Sequence, residues 1–173
     1  MRKVLFLLPF AMLLVSCQQP ASELPSVAAD AKQVKLTKGN CGLTTDDSTV
    51  EFTTSLDIPG SESKYEFLIG PNCYAHSTYE EFLVKKDGYI KSKSTYHVDR
   101  LIIDYMSKKG INFKVFAGET EAAVHESSVP TEYPDDDDYG AVVEYSINGT
   151  SWSITNDTDY KPAFYSVTVV FTM

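Results

Sequence analysis

Residues 164–173 read FYSVTVVFTM, from Phe164 to Met173. β-branched and aromatic side chains fill the stretch, and they alternate. A period of two places successive side chains on opposite faces of a strand. The phase predicts Tyr165, Val167, Val169 and Phe171 facing inward, with Ser166 and Thr168 outward. One buried face and one wet face point to an antiparallel sheet, because parallel sheets are covered on both sides.

The same texture spreads upstream. KYEFLIG sets Tyr65, Phe67 and Ile69 against Lys64 and Glu66, and INFKVFAG sets Ile111, Phe113 and Val115 against Asn112 and Lys114. TVEFTTSL alternates more weakly through Val50, Phe52 and Leu56. HVDRLIIDYM is apolar on both faces, which predicts a central strand. STYEEFLV reads as an irregular strand or a single helical turn. Trp152 alternates with Ile154 and reads as core.

Turn residues separate these runs. Asn148-Gly149 lies between VVEYSI and TSWSIT, and Asn-Gly accepts the positive φ of a two-residue hairpin. Asp87-Gly88 and Lys109-Gly110 punctuate the chain in the same way. Many short strands without a long helical period predict an all-β fold, an antiparallel β-sandwich of jelly-roll type.

The first residues have a different character. Arg2 and Lys3 precede an apolar run over 4–15, too short for the ~20 residues of a membrane-spanning helix. A basic start, a short apolar core and a small residue before a cut describe a secretory signal. Leu14-Val15-Ser16-Cys17 then resembles the lipobox of bacterial lipoproteins at all four positions. That resemblance implies cleavage before Cys17 and acylation of Cys17 with palmitate-type chains. It also implies a lipid anchor, at about 0.8 kcal/mol per buried CH₂. In such lipoproteins an aspartate after the cysteine marks retention at the inner membrane. Gln18 stands there instead, so the expected place is the outer membrane, on either its periplasmic face or the cell surface.

Residues 17–38 are rich in Ala, Ser, Gln and Pro and read as a flexible tether, with room for a short helix over 28–34. The expected division is therefore signal peptide 1–16, lipidated tether 17–38 and β-sandwich 39–173. The formal net charge is −9, with 24 acidic residues against 15 basic ones, and losing Arg2 and Lys3 deepens it. Such a surface repels phosphate backbones and excludes nucleic acid as the expected partner.

Three cysteines divide into Cys17 for lipid and an even pair, Cys41 and Cys73. In an oxidising compartment the pair predicts a disulfide. Closing its loop of roughly 33 residues would constrain the unfolded chain by about 3–4 kcal/mol.

Catalytic motifs are missing from the sequence. His76, His97 and His125 show no i, i+4 pairing, and neither a G-x-S-x-G elbow nor a phosphate-cradling loop is present. A non-catalytic protein is expected, with a small hydrolase as the minority reading. No metal ligands are assigned. Calcium is the one cofactor the loop acids could take: Asp46-Asp47, the aspartate run 135–138, and Asp157 with Asp159. Solvated charge is the simpler account of them.

Tyrosines in acidic, turn-rich stretches suggest a binding surface, since sugar C–H faces stack on flat rings and hydroxyls seek carboxylates. Tyr133, Asp137, Tyr139 and Tyr160 are the expected ligand contacts, three of them inside the long connection 117–140. Tyr74 and Tyr79 beside Cys73 could serve likewise.

EYSINGTSW also resembles the Y-S-x-D/N-G-x-x-W hairpin of discoidin-type, galactose-binding-like sandwiches. Tyr145, Ser146, Asn148, Gly149 and Trp152 carry the match, within residues 96–173. That resemblance implies a jelly-roll sandwich binding glycan through loops at one end. The long insertion at 117–140, and a last strand without the arginine pattern common there, depart from it. A lipid-anchored envelope protein that binds glycan is the expected function. A pilus-associated adhesion subunit, or one that binds an envelope protein, is the alternative.

Overall fold

The computed structural model describes residues 30–106, 112–118, 120–126 and 140–173, and these hold twelve β-strands and no helix. They are β1 (Lys32–Thr37), β2 (Phe52–Asp57), β3 (Lys64–Ile69), β4 (Cys73–Ala75), β5 (Phe82–Val84) and β6 (Tyr89–Ser92). Then follow β7 (His97–Met106), β8 (Asn112–Ala117), β9 (Thr120–Glu126), β10 (Gly140–Gly149), β11 (Trp152–Thr155) and β12 (Ala163–Thr172). Every pairing is antiparallel.

A front sheet runs β10-β7-β12-β5-β4, with β1 also paired to β12, and a back sheet runs β2-β3-β6-β11-β8-β9. The two pack face to face as a β-sandwich. Tyr65 of β3 meets Phe171 of β12 at 4.9 Å between ring centres. Phe113 of β8 meets Phe164 of β12 at 5.2 Å. Tilted and edge-on ring pairs of this kind add to plain area burial.

The central placement of HVDRLIIDYM holds: β7 lies between β10 and β12. Alternation in β3 holds as well, with Tyr65, Phe67 and Ile69 fully buried, and Trp152 and Ile154 are core. STYEEFLV contributes the short strand β5 rather than a helical turn.

Four expectations are corrected. The tether does not run to residue 38. Lys32–Thr37 is a strand paired along β12 from Lys32↔Phe171 to Thr37↔Ser166, and it buries Val34 and Leu36. The sandwich therefore starts at β1, and no helix forms over its part of 28–34. Second, the phase of the last strand slips at its start. The partners Phe164↔Tyr105 and Ser166↔Asp104 leave Tyr165 as an extra residue, a β-bulge. Phe164 is buried in its place and Tyr165 is only half-buried. Val167, Val169 and Phe171 keep the expected face.

Third, Asn148-Gly149 does not close a hairpin. Asn148 has the positive φ its side chain tolerates, 51°, but β10 pairs with β7 in the front sheet and β11 with β6 and β8 in the back sheet. The chain turns a corner between sheets there. Asp87, at φ 64°, does the same between β5 and β6.

Fourth, Cys41 and Cys73 are free thiols, both buried, and no disulfide joins them. Each sulfur finds backbone instead. Cys41 Sγ donates to Lys38 O at 3.3 Å, and Cys73 Sγ lies 3.6 Å from Pro71 O and 3.7 Å from Tyr89 O. Burial raises the pKa of both thiols, Cys73 to about 12, and a charge on Cys41 would raise it further.

Candidate functional site

Strand direction gathers a set of connections at one end of the sandwich. Segment 85–88 leaves β5 there and enters β6, 156–162 leaves β11 and enters β12, and 70–72 follows β3. Glu126 pairs with Asn112 and Gly140 with Met106, so the strand ends flanking 127–139 open at the same end.

One buried side chain laces these connections together. Asn156 is 1% exposed. Its Nδ2 donates to Val84 O at 2.9 Å and to Tyr160 O at 2.6 Å. Its Oδ1 accepts from Thr158 N and Thr158 Oγ1, both at 2.9 Å. The Asn156 backbone adds an exchange across the gap: Asp87 N donates to Asn156 O at 2.7 Å and Asn156 N to Gly88 O at 3.2 Å. All the bonding capacity of a buried amide is thereby used, which is what burying it requires. Gly88 sits so close that a Cβ would come within 2.9 Å of Lys85 O.

A second knot holds the next connection. Ser48 Oγ donates to Gly70 O at 2.8 Å and accepts from Cys73 N at 3.1 Å, while Asn72 N donates to Ser48 O at 2.9 Å. Lys85 N reaches Asn72 O at 2.8 Å, and Asn72 Nδ2 reaches Lys86 O at 3.1 Å. Asn72 takes a positive φ of 61° to do so.

On this braced base stand the polar side chains. Tyr160 is 58% exposed. Lys86 pairs with Asp159 at 3.0 Å, and Lys114 with Asp157 at 3.0 Å. The hydrogen bond that Lys86 donates to Asp159 raises the Lys86 pKa. Lys85 pairs with Asp47 and lies 4.9 Å from the ring centre of Tyr74. A hollow of about 250 Å³ opens beside Asp46, Asp47 and Phe52. Among the described residues the end therefore offers the exposed ring of Tyr160 on the same connection as the ion pairs of Asp159 and Asp157, groups able to meet a polyhydroxylated ligand.

Of the four expected contacts, Tyr160 is placed here, while Tyr133, Asp137 and Tyr139 lie outside the described residues, as does Cys17. The aspartate run 135–138 also lies outside them. Asp47, Asp157 and Asp159 each face a lysine. Among the described residues no group of three or more His, Cys, Asp or Glu side chains converges as metal ligands would. Tyr74 and Tyr79 are not one surface. Tyr74 is half-buried under Lys85, whereas Tyr79, 59% exposed, meets His76 at a tilt, 4.7 Å between ring centres, on the β4–β5 turn, at the opposite end of β5 from Tyr160.

Sequence reasoning missed Asn156. A signal was present: Asn-Asp-Thr at 156–158 suits an Asx turn. The amide's bond to Val84, far away in sequence, has no local trace. Compared with known proteins, the chain matches no family model and no curated protein at a significant level.

Proposed function

We propose that the chain is a lipid-anchored, non-catalytic binding module of the cell envelope that takes glycan at this loop-bearing end. The observation that carries the reading is Tyr160, open to solvent on a connection whose base is fixed by buried Asn156. A connection whose backbone is already fixed loses little freedom on binding, and that lowers the cost of association. Cys17 is the proposed lipid attachment site, and the outer membrane the proposed location.

A glycan array probed with the domain tests the binding. A set of related hits, weakened about tenfold or more by Tyr160→Ala, supports it; stacking energies of about 0.5–1.5 kcal/mol and lost hydrogen bonds set that scale. A blank array, or hits indifferent to Tyr160, defeats it. Palmitate incorporation that Cys17→Ala abolishes tests the anchor.

The reading as an adhesion or partner-binding subunit has one observation in its favour. Strand β10 ends the front sheet and shows Val142 at 66% exposure, and an edge strand can accept a partner strand.

A further inference from the structure

The outer face of the back sheet carries a groove of about 390 Å³ with a defined cross-section. Ser153 of β11 stands opposite Lys91 of β6 on one side and Phe116 of β8 on the other. These three form one row across three strands. Directly paired residues share a face, and two strand spacings separate the outer pair by about 10 Å. A short serine between a long lysine and a phenylalanine leaves a trough. Thr155 continues the floor along β11, and Gly118 and Ser151 close one end.

The walls differ in chemistry. Phe116 is half-buried and gives a ring edge or face. Lys91 is held in place: its Nζ lies 3.9 Å from the ring centre of Tyr89. Tyr89 is fixed in turn by a hydrogen bond from its hydroxyl to Glu51. Its ring lies where a Cβ at position 70 would come within 2.7 Å, so glycine there makes its room. Neighbouring lysines on this face are neutralised, Lys93 by Glu66 at 3.7 Å and Lys114 by Asp157 at 3.0 Å. Lys91 has no carboxylate partner among the described residues. Lys91 therefore brings a positive charge without a carboxylate partner to this groove, in a chain whose net charge is −9.

We propose that this trough binds an acidic glycan, with Lys91 as the counter-charge for a carboxylate or sulfate on a sugar ring, Phe116 as the stacking surface, and Ser153 and Thr155 as hydroxyl partners. The proposal rests on the glycan-binding reading and adds a second surface to it, distinct from the Tyr160 end. An ammonium over an aromatic ring keeps its charge and its direction, so it discriminates by charge. The overall negative field does not prevent this, because charges beyond about 8 Å are screened at physiological salt.

Calorimetric titration of the full chain with three short oligomers tests it: an oligogalacturonate, a sulfated galactan and a neutral galactan. Lys91→Met keeps the aliphatic cover over Tyr89 and removes the charge; Lys91→Arg keeps the charge. The proposal expects binding of at least one acidic oligomer, weakened about tenfold or more by Lys91→Met, a loss of the size a desolvated charge pair carries. Lys91→Arg should retain it, Phe116→Ala should weaken it, and Lys93→Ala should leave it unchanged. Which acidic oligomer binds tells carboxylate from sulfate.

No acidic binding, or equal losses from Lys91→Met and Lys93→Ala, overturns the proposal, the second result meaning diffuse attraction. Tyr160→Ala separates the two readings. If it abolishes all binding while Lys91→Met changes nothing, the trough is empty and the loop-end reading stands. If Lys91→Met acts and Tyr160→Ala does not, the reverse holds. Unchanged thermal melting of each variant keeps folding out of the comparison.

Discussion

Trp152 and Tyr65 are among the largest fully buried side chains, and each carries a polar atom into the core. They settle the cost together: Trp152 Nε1 donates to the Tyr65 hydroxyl at 3.0 Å, which lies 3.0 Å from Ser92 Oγ, which donates to Ser94 O at 2.8 Å. Tyr65→Phe breaks this relay in the middle and leaves the indole N–H unpaired. It should cost about 1–3 kcal/mol in urea unfolding, far more than a lost hydroxyl at the surface. Asn156→Ala should cost at least about 2 kcal/mol by the same logic, since Val84 O and Thr158 N lose their partner. It should also weaken any ligand held by Tyr160, while the β3 and β7 core stays folded.

The buried thiols give a pH prediction. Burial raises Cys73 from the usual thiol value to about 12, and it raises Tyr145 to about 12 with help from nearby Tyr105. Unfolded, both groups ionise earlier, so the unfolded state binds fewer protons between about pH 9 and 12. Their stabilising contribution is complete below pH 9 and declines as pH rises through that window. Melting temperature should therefore hold level near neutrality and drop steadily above pH 9. Alkylation at pH 8 should leave both thiols unmodified in the folded protein and label both on unfolding without reductant. A mass two hydrogens short would contradict the free thiols.

Among the elements, β1 shows where local reading stops. Lys-Gln-Val-Lys-Leu-Thr has two apolar positions and no turn signal of its own, and its partner strand lies at the other end of the sequence. Only the distant match with β12 reveals it. Leu36→Ala should still cost about 2–5 kcal/mol, the range for a buried leucine, and a chain begun at Gly39 should lose more. Equal stability of that shortened chain in denaturant would mean β1 is dispensable.

Turns were legible as turns but not as destinations. Asp87 and Asn148 take the positive φ their residue types suggest. A dipeptide fixes backbone direction over two residues. Whether the next strand joins the same sheet depends on which face it must bury, and that is decided by the assembled core. The bulge at Tyr165 moved only the first inward position, from Tyr165 to Phe164, for the same reason: the extra residue serves the fit to β7. At the site, exposed Tyr160 was readable from its acidic, turn-rich surroundings, while the hub beneath it was not. Asn156 works through carbonyls brought together by folding.

At the scale of the whole molecule, the strands nearest the two chain ends of the described region pair with each other. The front sheet is incomplete until β12 is in place, since β1, β5 and β7 all bond to it. Truncation before Ala163 should therefore abolish cooperative unfolding rather than reduce it. Refolding should run in the millisecond-to-second range typical of folds dominated by distant pairings, which stopped-flow tryptophan fluorescence from Trp152 would follow.

That closed frame is what lets one end hold its connections on a fixed backbone. Hydrogen exchange of the full chain, with and without a glycan identified on the array, measures this most directly. The account predicts slowed exchange at 156–162 and 85–88 on binding, with the β2–β3 connection 58–63 unchanged. Protection confined to 58–63, or none anywhere under saturating glycan, would contradict it.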